Sequence, residues 1–396
     1  MRNTNNTYIF IYIEEYRPTE NLLLFDFVDN QSFMEIKTFI RSDPQKRSSM
    51  VLIRNYHGKK LEEGAVYRVS RNKMLEIFLL ESMLEIHNSY LIGYSFEYSK
   101  VLSDLFSAKQ EIITYYLDEK SNLPLLTKNF PVSDASGFNV RNVGHANWNE
   151  VEFEHRVKIV YDIGSHLHST KQEIDNLFAD KYIEYKKNLP MLIISHWDKD
   201  HYHALLGLES ETIQQCFSTF IFPEHTPNAT SKRIVDRIRN SLPKNSIHYI
   251  KNLKKAGRKV ESICEPNCNI QIYRTRENYS RNKSGILLCV KSSFASVIFS
   301  GDADYSTCNL ILQELKYYHT NHLVVPHHGG KAGAFKYVPH NSVNFGKAII
   351  STGTSKFLHF KNHLNKTKDD LKTKTKFQII EVEEQKKDVH IKLKKF

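Results

Sequence analysis

The segment LPMLIISHWDKDHYHALLGL constrains this chain more than any other. An apolar strand pattern at 189–195 runs directly into His196, Asp198, Asp200 and His201, packed into six residues, and then into a helical pattern. A solvated polar loop could carry the same residues by chance. Carboxylates and imidazoles this dense at the end of a buried strand are costly, however, unless something compensates their charge. On an extended exit loop, alternating positions point side chains to one side. The adjacent pair Asp200 and His201 can turn toward a second position at the start of the helix, so that one loop can serve two metal ions.

At 396 residues the whole chain suits two domains of about 100–200 residues each. Apolar residues make up 40% and aromatic residues 12%, with 23 Phe and 21 Tyr, which supplies a real core and excludes a disordered chain. No apolar run approaches the roughly 18 residues that span a bilayer, and the opening MRNTNNTY lacks the charged and apolar regions of a secretory signal. A cytoplasmic protein with no membrane partner is expected. Five scattered cysteines fit a reducing compartment better than a disulfide framework. Cys264 and Cys268, in CEPNC, have the spacing of half a zinc knuckle but no partner pair nearby, and are read as loop cysteines. The net charge of +11 favours polyanionic partners such as nucleic acid, although charge alone supports that only weakly.

Residues 1–135 read as a β-rich mixed domain of unknown role. Strand patterns stand at 7–13, 21–28 and 49–56, KKLEEGAVYRV at 59–69 resembles the start of a small β-barrel, and SKVLSDLFSAKQEIITYYL at 99–117 has helical spacing. The polar loop KNFPVSDASGF at 128–138 marks the boundary. Residues 136–396 change texture. Apolar strands are followed by chemically loaded loops in VKIVYDIG (157–164), FIFPEH (220–225), SVIFSGDAD (296–304), HLVVPHHGG (322–330) and KAIISTG (347–353), while 171–187 and 230–242 have helical patterns. Continuous Ile, Val and Leu runs of this kind belong to strands buried in a layered α/β domain, here an αββα sandwich. No internal repeat is present, and KTKDDLKTKTK reads as a lysine-heavy surface segment.

The HxDxDH pattern resembles the second signature motif of the metallo-β-lactamase superfamily, and the C-terminal two thirds resemble its ComEC-type, DNA-uptake-related hydrolases. Further motifs follow in the family's order. NVGHANWNEV leads to YDIG with Asp162 and Gly164, although His145 and Ala146 stand where the family has Gln and Gly. NKSGILLCV brings Asn282 and Ser284, FSGD brings Asp302, PHHGG brings His327 and His328, and FLHF brings His359. The resemblance implies an α/β metallo-β-lactamase sandwich with one or two divalent metals bound by His196, Asp198, Asp200, His201, Asp302, His327 and His359. Asp302 would be the bridging carboxylate and Asp304 a bystander. His359 would be the late histidine, with Phe360 in place of the usual proline and His363 as its rival. His225 is read as structural, because Asn282 and Ser284 occupy the segment of the family's third histidine, and His166, His168 and His203 have no spacing that recommends them. With Asp198 in place of an imidazole and no thiolate in the set, Mn or Mg is favoured and Zn remains compatible.

These residues lead to a metal-dependent phosphodiesterase, and the resemblance together with the charge points to a nuclease acting on DNA. Water acidified by the cations would attack phosphorus while Asp200 or a bridging hydroxide manages the proton. His327 or His328 would orient the phosphate or protonate the leaving oxygen. Fold membership alone does not decide among the superfamily's reactions. Hydrolysis of a small molecule such as a cyclic nucleotide or lactone is one alternative. A binding or signalling module with a vestigial metal site, its protein partner held by residues 1–135, is another. Without membrane segments the chain is not a DNA-uptake pore. A ComEC-like domain beside an unrelated one resembles instead proteins of bacterial, including antiviral, defence against foreign DNA, where the first domain senses or recruits.

Overall fold

A computed structural model describes residues 8–37, 48–54, 56, 60–75, 94–97, 106–110, 130–166, 169–253, 259–264, 268–276, 284–315, 320–333, 335, 344–351 and 358–393, with the backbone alone for 94–97, 106–110 and 358–361. The described residues fall into two units. One is drawn from Met1–Tyr116, His168–Gln172 and His225–Asp236, the other from Leu117–Leu167, Glu173–Glu224 and Arg237–Phe396.

In the first unit the three apolar runs become β1 (Tyr8–Arg17), β2 (Leu22–Phe27) and β3 (Val51–Arg54), with helix α1 (Asn30–Lys37) between the last two. With β4 (Val66–Ser70), β5 (Tyr94–Glu97) and β6 (Phe106–Gln110) they form a six-stranded sheet in the order β5-β3-β2-β1-β4-β6. Alternate residues Ile9, Ile11 and Ile13 of β1 join Leu23, Phe25 and Phe27 of β2 and Phe33 and Ile36 of α1 in one core, the period of two that a half-covered strand requires. Two expectations are corrected. Among the described residues the 59–69 segment leads into an open six-stranded sheet rather than a closed barrel. Residues 106–110, expected to be helical, form a strand antiparallel to β4, with Val66 opposite Gln110. The free edge of β4 supplies hydrogen bonds that local spacing cannot anticipate, and short apolar runs fit either period.

Residues 225–236 return to this unit and carry the start of a second kind of anchor. The fully buried Asp26 carboxylate accepts hydrogen bonds from the Thr230 backbone N–H at 3.1 Å, from the Phe27 N–H at 2.8 Å and from the Ser49 hydroxyl. Burial pushes its carboxyl up, against the opposing pull of these donors and of Arg233.

The second unit stacks two seven-stranded sheets. One runs β12-β11-β10-β9-β8-β7-β20, from β7 (Ala135–Val140), β8 (Trp148–Phe153), β9 (Arg156–Ile163), β10 (Met191–Ile193), β11 (Thr219–Pro223), β12 (Ile247–Ile250) and β20 (Val389–Lys392). The other runs β13-β14-β15-β16-β17-β18-β19, from β13 (Val260–Ser262), β14 (Ile270–Thr275), β15 (Ile286–Lys291), β16 (Ala295–Phe299), β17 (Thr320–Val324), β18 (Asn344–Ile350) and β19 (Gln378–Glu381). β9 to β12 are parallel, as are β16 to β19.

Between the sheets Phe138, Val151, Ile159, Tyr161 and Ile193 meet Ile272, Leu288, Val297, Phe299 and Val324. Helix α2 (Lys171–Asn188) covers the outer face of the first sheet through Phe178 and Tyr185, which pack by Trp148. Helices α3 (Tyr305–Glu314) and α4 (Leu358–Lys374) cover the second sheet through Cys308, Ile311, Leu364 and Leu371. The layers are therefore αββα, as the strand texture predicts. Phe299 is the hub of the inner layer, its ring 5.6 Å from those of both Phe138 and Tyr161. Phe299→Ala is expected to cost about 3–5 kcal/mol, read as a lowered urea midpoint at unchanged m-value. Among the described residues no helix is long and apolar enough to cross a membrane.

Candidate metal centre

Side chains that could hold a cation follow the carboxyl ends of the parallel strands, where open α/β sheets place their sites. Asp162 ends β9, the segment from Ser195 to His201 follows β10, Asp302 follows β16, His327 and His328 follow β17, and Ser351 follows β18. Several of them sit in left-handed backbone: φ is 60° at Asp162 and 52° at both His327 and His328. Non-glycine residues hold that conformation only where their surroundings over-determine it, as functional sites often do.

Three imidazoles are wired alike. His201 Nδ1 lies 2.7 Å from Asp162 Oδ2, which accepts its proton, so Nε2 is the nitrogen turned inward, with a lone pair when the ring is neutral. That Nε2 faces Asp302 Oδ1 at 3.1 Å. The Ser195 hydroxyl donates to Asp162 at 2.9 Å and so accepts from His196 Nδ1 at 2.9 Å. His196 Nε2, buried and with no hydrogen-bond partner among the described residues, faces Asp198 Oδ2 at 3.2 Å and Asp302 Oδ2 at 3.7 Å. His328 Nδ1 donates to the Ser351 carbonyl at 2.8 Å, leaving Nε2 2.8 Å from Asp200 Oδ2. In each case a nitrogen lone pair confronts a carboxylate oxygen, which repels unless a proton or a metal ion lies between. An outer acceptor fixing the tautomer of an inward nitrogen is how metal-ligating histidines are held.

At His201 the neighbouring carboxylates favour a proton in that gap. Burial alone would lower the His201 imidazole, but the Asp162, Asp200 and Asp302 carboxylates outweigh it and hold the group well above 6.5. Burial likewise opposes ionisation of Asp302, yet His327 and His201 beside it hold its carboxyl well below the usual range. His203, by contrast, is pushed well down by burial and by Lys199, and its Nδ1 pairs with the Ser165 hydroxyl at 2.8 Å, a structural role.

Two groups of three donors result. One donor atom each from His196, His201 and Asp302 lie within 4.8 Å of one another, and so do donors from His145, Asp200 and His328. Asp198 flanks the first group, and His327 Nδ1 pairs with Asp302. All donors are nitrogen or oxygen, so the set fits a divalent cation of the hard or borderline kind.

These strand-end donors on an αββα sandwich match the layered α/β architecture expected from the sequence. The chain matches no family model and no curated protein sequence. Solved structures similar to it include CmlA, a diiron β-hydroxylase from Streptomyces venezuelae, at 11% identity and TM-score 0.36 over 67% of this chain. This chain spans 55% of that hydroxylase's length. The metallo-β-lactamase fold protein YhfI from Bacillus subtilis matches at 9% identity and TM-score 0.36, over 64% of this chain and 99% of its own. Human tRNase Z, short form, matches at 14% identity and TM-score 0.28, over 41% and 68%.

Of the residues singled out from sequence, His196, Asp198, Asp200, His201, Asp302, His327 and His328 are brought together. The adjacent pair Asp200 and His201 is divided: His201 joins His196 and Asp302, and Asp200 joins His328. The side chain of His359 lies outside the described residues, as do Asn282 and His168. His363 and His225 join neither donor group, and Asp304 stands at the start of α3. Cys264 is buried with its Sγ 3.4 Å from the Ile272 N–H, in no donor group among the described residues. His145 had not been singled out. The signal was an imidazole at one of the opening-motif positions that depart from the family pattern.

Proposed function

We propose that the second unit is a metal-dependent phosphodiesterase acting as a nuclease on DNA. The observation that carries this reading is the set of inward imidazole lone pairs facing carboxylates, a centre built to be completed by cations. Divalent cations, which His196, His201 and Asp302 and in turn Asp200 and His328 would hold, would neutralise a phosphodiester and acidify water. The chain's own residues orient and move protons. We assign Asp200, whose side chain is 29% exposed, the proton released by water. Among the four imidazoles His327 is the one substrate can reach, its side chain 28% exposed against 3% or less for His196, His201 and His328. We assign it the protonation of the leaving oxygen, and His328 a ligand role.

DNA as substrate is supported by the net charge of +11, by the ComEC-like motif order, and by exposed Lys331, which follows His328 and two glycines. Defence against foreign DNA in bacteria, with the first unit offering the protein-partner surface, belongs to the same proposal and rests on the resemblance. Purified protein given labelled single- and double-stranded DNA and RNA, with Mn, Mg or Zn added separately, should cleave DNA with Mn or Mg. Asp200→Ala should abolish cleavage. A chain that binds metal yet cuts no nucleic acid would instead hydrolyse a small phosphodiester.

A further inference from the structure

The opening motif places His145 where the resemblance expects glutamine, and the structure puts its ring against the centre. Its centroid lies 4.5 Å from that of His328, at an interplanar angle of 41°. His328 Nε2 in turn faces Asp200 Oδ2 at 2.8 Å. We propose that His145 is a ligand to a second divalent cation, completing with Asp200 and His328 a site of two imidazoles and one carboxylate. This rests on the metal-dependent reading above and adds to it a ligand that the motif does not supply.

Geometry favours a built site over a chance stack. Donors on adjacent vertices around a cation at about 2.1 Å stand about 3 Å apart, and His328 Nε2 and Asp200 Oδ2 are 2.8 Å apart. All three donors lie within 4.8 Å of one another, a spread that a small inward movement of the half-buried His145 would close. The loop that carries His145 is tied to the short helix Lys199–Tyr202 that carries Asp200, because the Asn147 N–H donates to the Asp200 carbonyl at 3.0 Å. Asn147 also accepts from the Ser351 hydroxyl at 2.7 Å, and the carbonyl of that same serine orients His328. One hydrogen-bonded belt thus fixes the supports of all three ligands. Two imidazoles and one carboxylate leave open positions on the cation and suit Mn(II) or Fe(II).

The test is a titration of chelator-stripped full-length protein with Mn(II), reading bound and free ion by electron paramagnetic resonance and calorimetry. Wild type should bind two Mn(II) per chain. His145→Ala should retain one at unchanged affinity and lose the second or bind it at least tenfold more weakly, and His145→Gln should be intermediate. Circular dichroism of the stripped variants checks folding, and His145→Gln keeps a side chain of similar bulk should the alanine variant fail to fold. If His145→Ala binds Mn(II) with wild-type number and affinity, the inference is overturned while the metal-dependent reading stands. A wild type that binds no Mn(II), Mg(II) or Zn(II) overturns both.

Discussion

Asp302→Ala should abolish cation binding at the first donor group and lower phosphodiesterase activity by roughly 10³-fold. Its two oxygens are divided among three imidazoles: Oδ1 stands 3.1 Å from His201 Nε2, while Oδ2 pairs with His327 Nδ1 and stands 3.7 Å from His196 Nε2. With its side chain 2% exposed, no water can take the place of the missing carboxylate at full strength. Lewis-acid stabilisation of a transition state is worth several kcal/mol, and a loss of about 4 kcal/mol corresponds to about 10³ in rate. Removal of the carboxylate also releases His201 from one of the charges that hold its proton, so the ring should titrate lower in the variant. Calorimetric titration with Mn(II), beside single-turnover cleavage, measures both effects. Asp304→Ala, two residues on and outside either donor group, should stay within about twofold of wild type. Equal losses in the two variants would mean that the segment acts through folding and not through a ligand.

The contrast between Asp302 and His145 shows what a sequence carries of such a centre. Asp302, His196, Asp198, Asp200 and His201 are legible because each stands in a short stretch whose strand and turn are set by neighbouring residues. The buried runs of β9, β10, β16 and β17 were likewise readable, since continuous Ile, Val and Leu runs admit little else. Residues that aim the ligands are another matter. Ser351 and Asn147 meet across 204 positions of chain, and Ser195 acquires its role only when Asp162 arrives from β9. No local pattern records such pairings, which exist only once both sheets have formed. Strand β6 failed for the same reason, its partner β4 lying outside any helical window. The return of 225–236 to the first unit depends on Asp26, more than two hundred residues earlier, which local helical spacing cannot register.

Gly164→Ala should be the most damaging single-methyl change in the second unit. A Cβ built on Gly164 would overlap the carbonyl oxygen of Asp200 and lie 2.9 Å from that of Asn147, both backbone atoms that no rotamer change can move aside. The Asn147 carbonyl accepts the Gly164 N–H at 2.7 Å, and Asn147 donates to Asp200, so one methyl presses on three hydrogen-bonded segments at once. Overpacking typically costs 1–3 kcal/mol where side chains can give way, and with rigid backbone on two sides the expected loss is about 3 kcal/mol or more. The displaced backbone belongs to Asp200 itself, so cation affinity at the second donor group should fall at least tenfold even in protein that remains folded; about 1.4 kcal/mol of strain suffices for that. Gly333→Ala separates crowding from backbone strain. There φ is +81° but a Cβ meets nothing within 4 Å, so the cost should stay near 1 kcal/mol, with metal binding unchanged. Urea unfolding of both variants, with Mn(II) titration of the folded fraction, provides the comparison. If Gly164→Ala proved no worse than Gly333→Ala, the short helix bearing Asp200 would have room to shift, and the close approach of β9 to that helix would not be what positions the ligand.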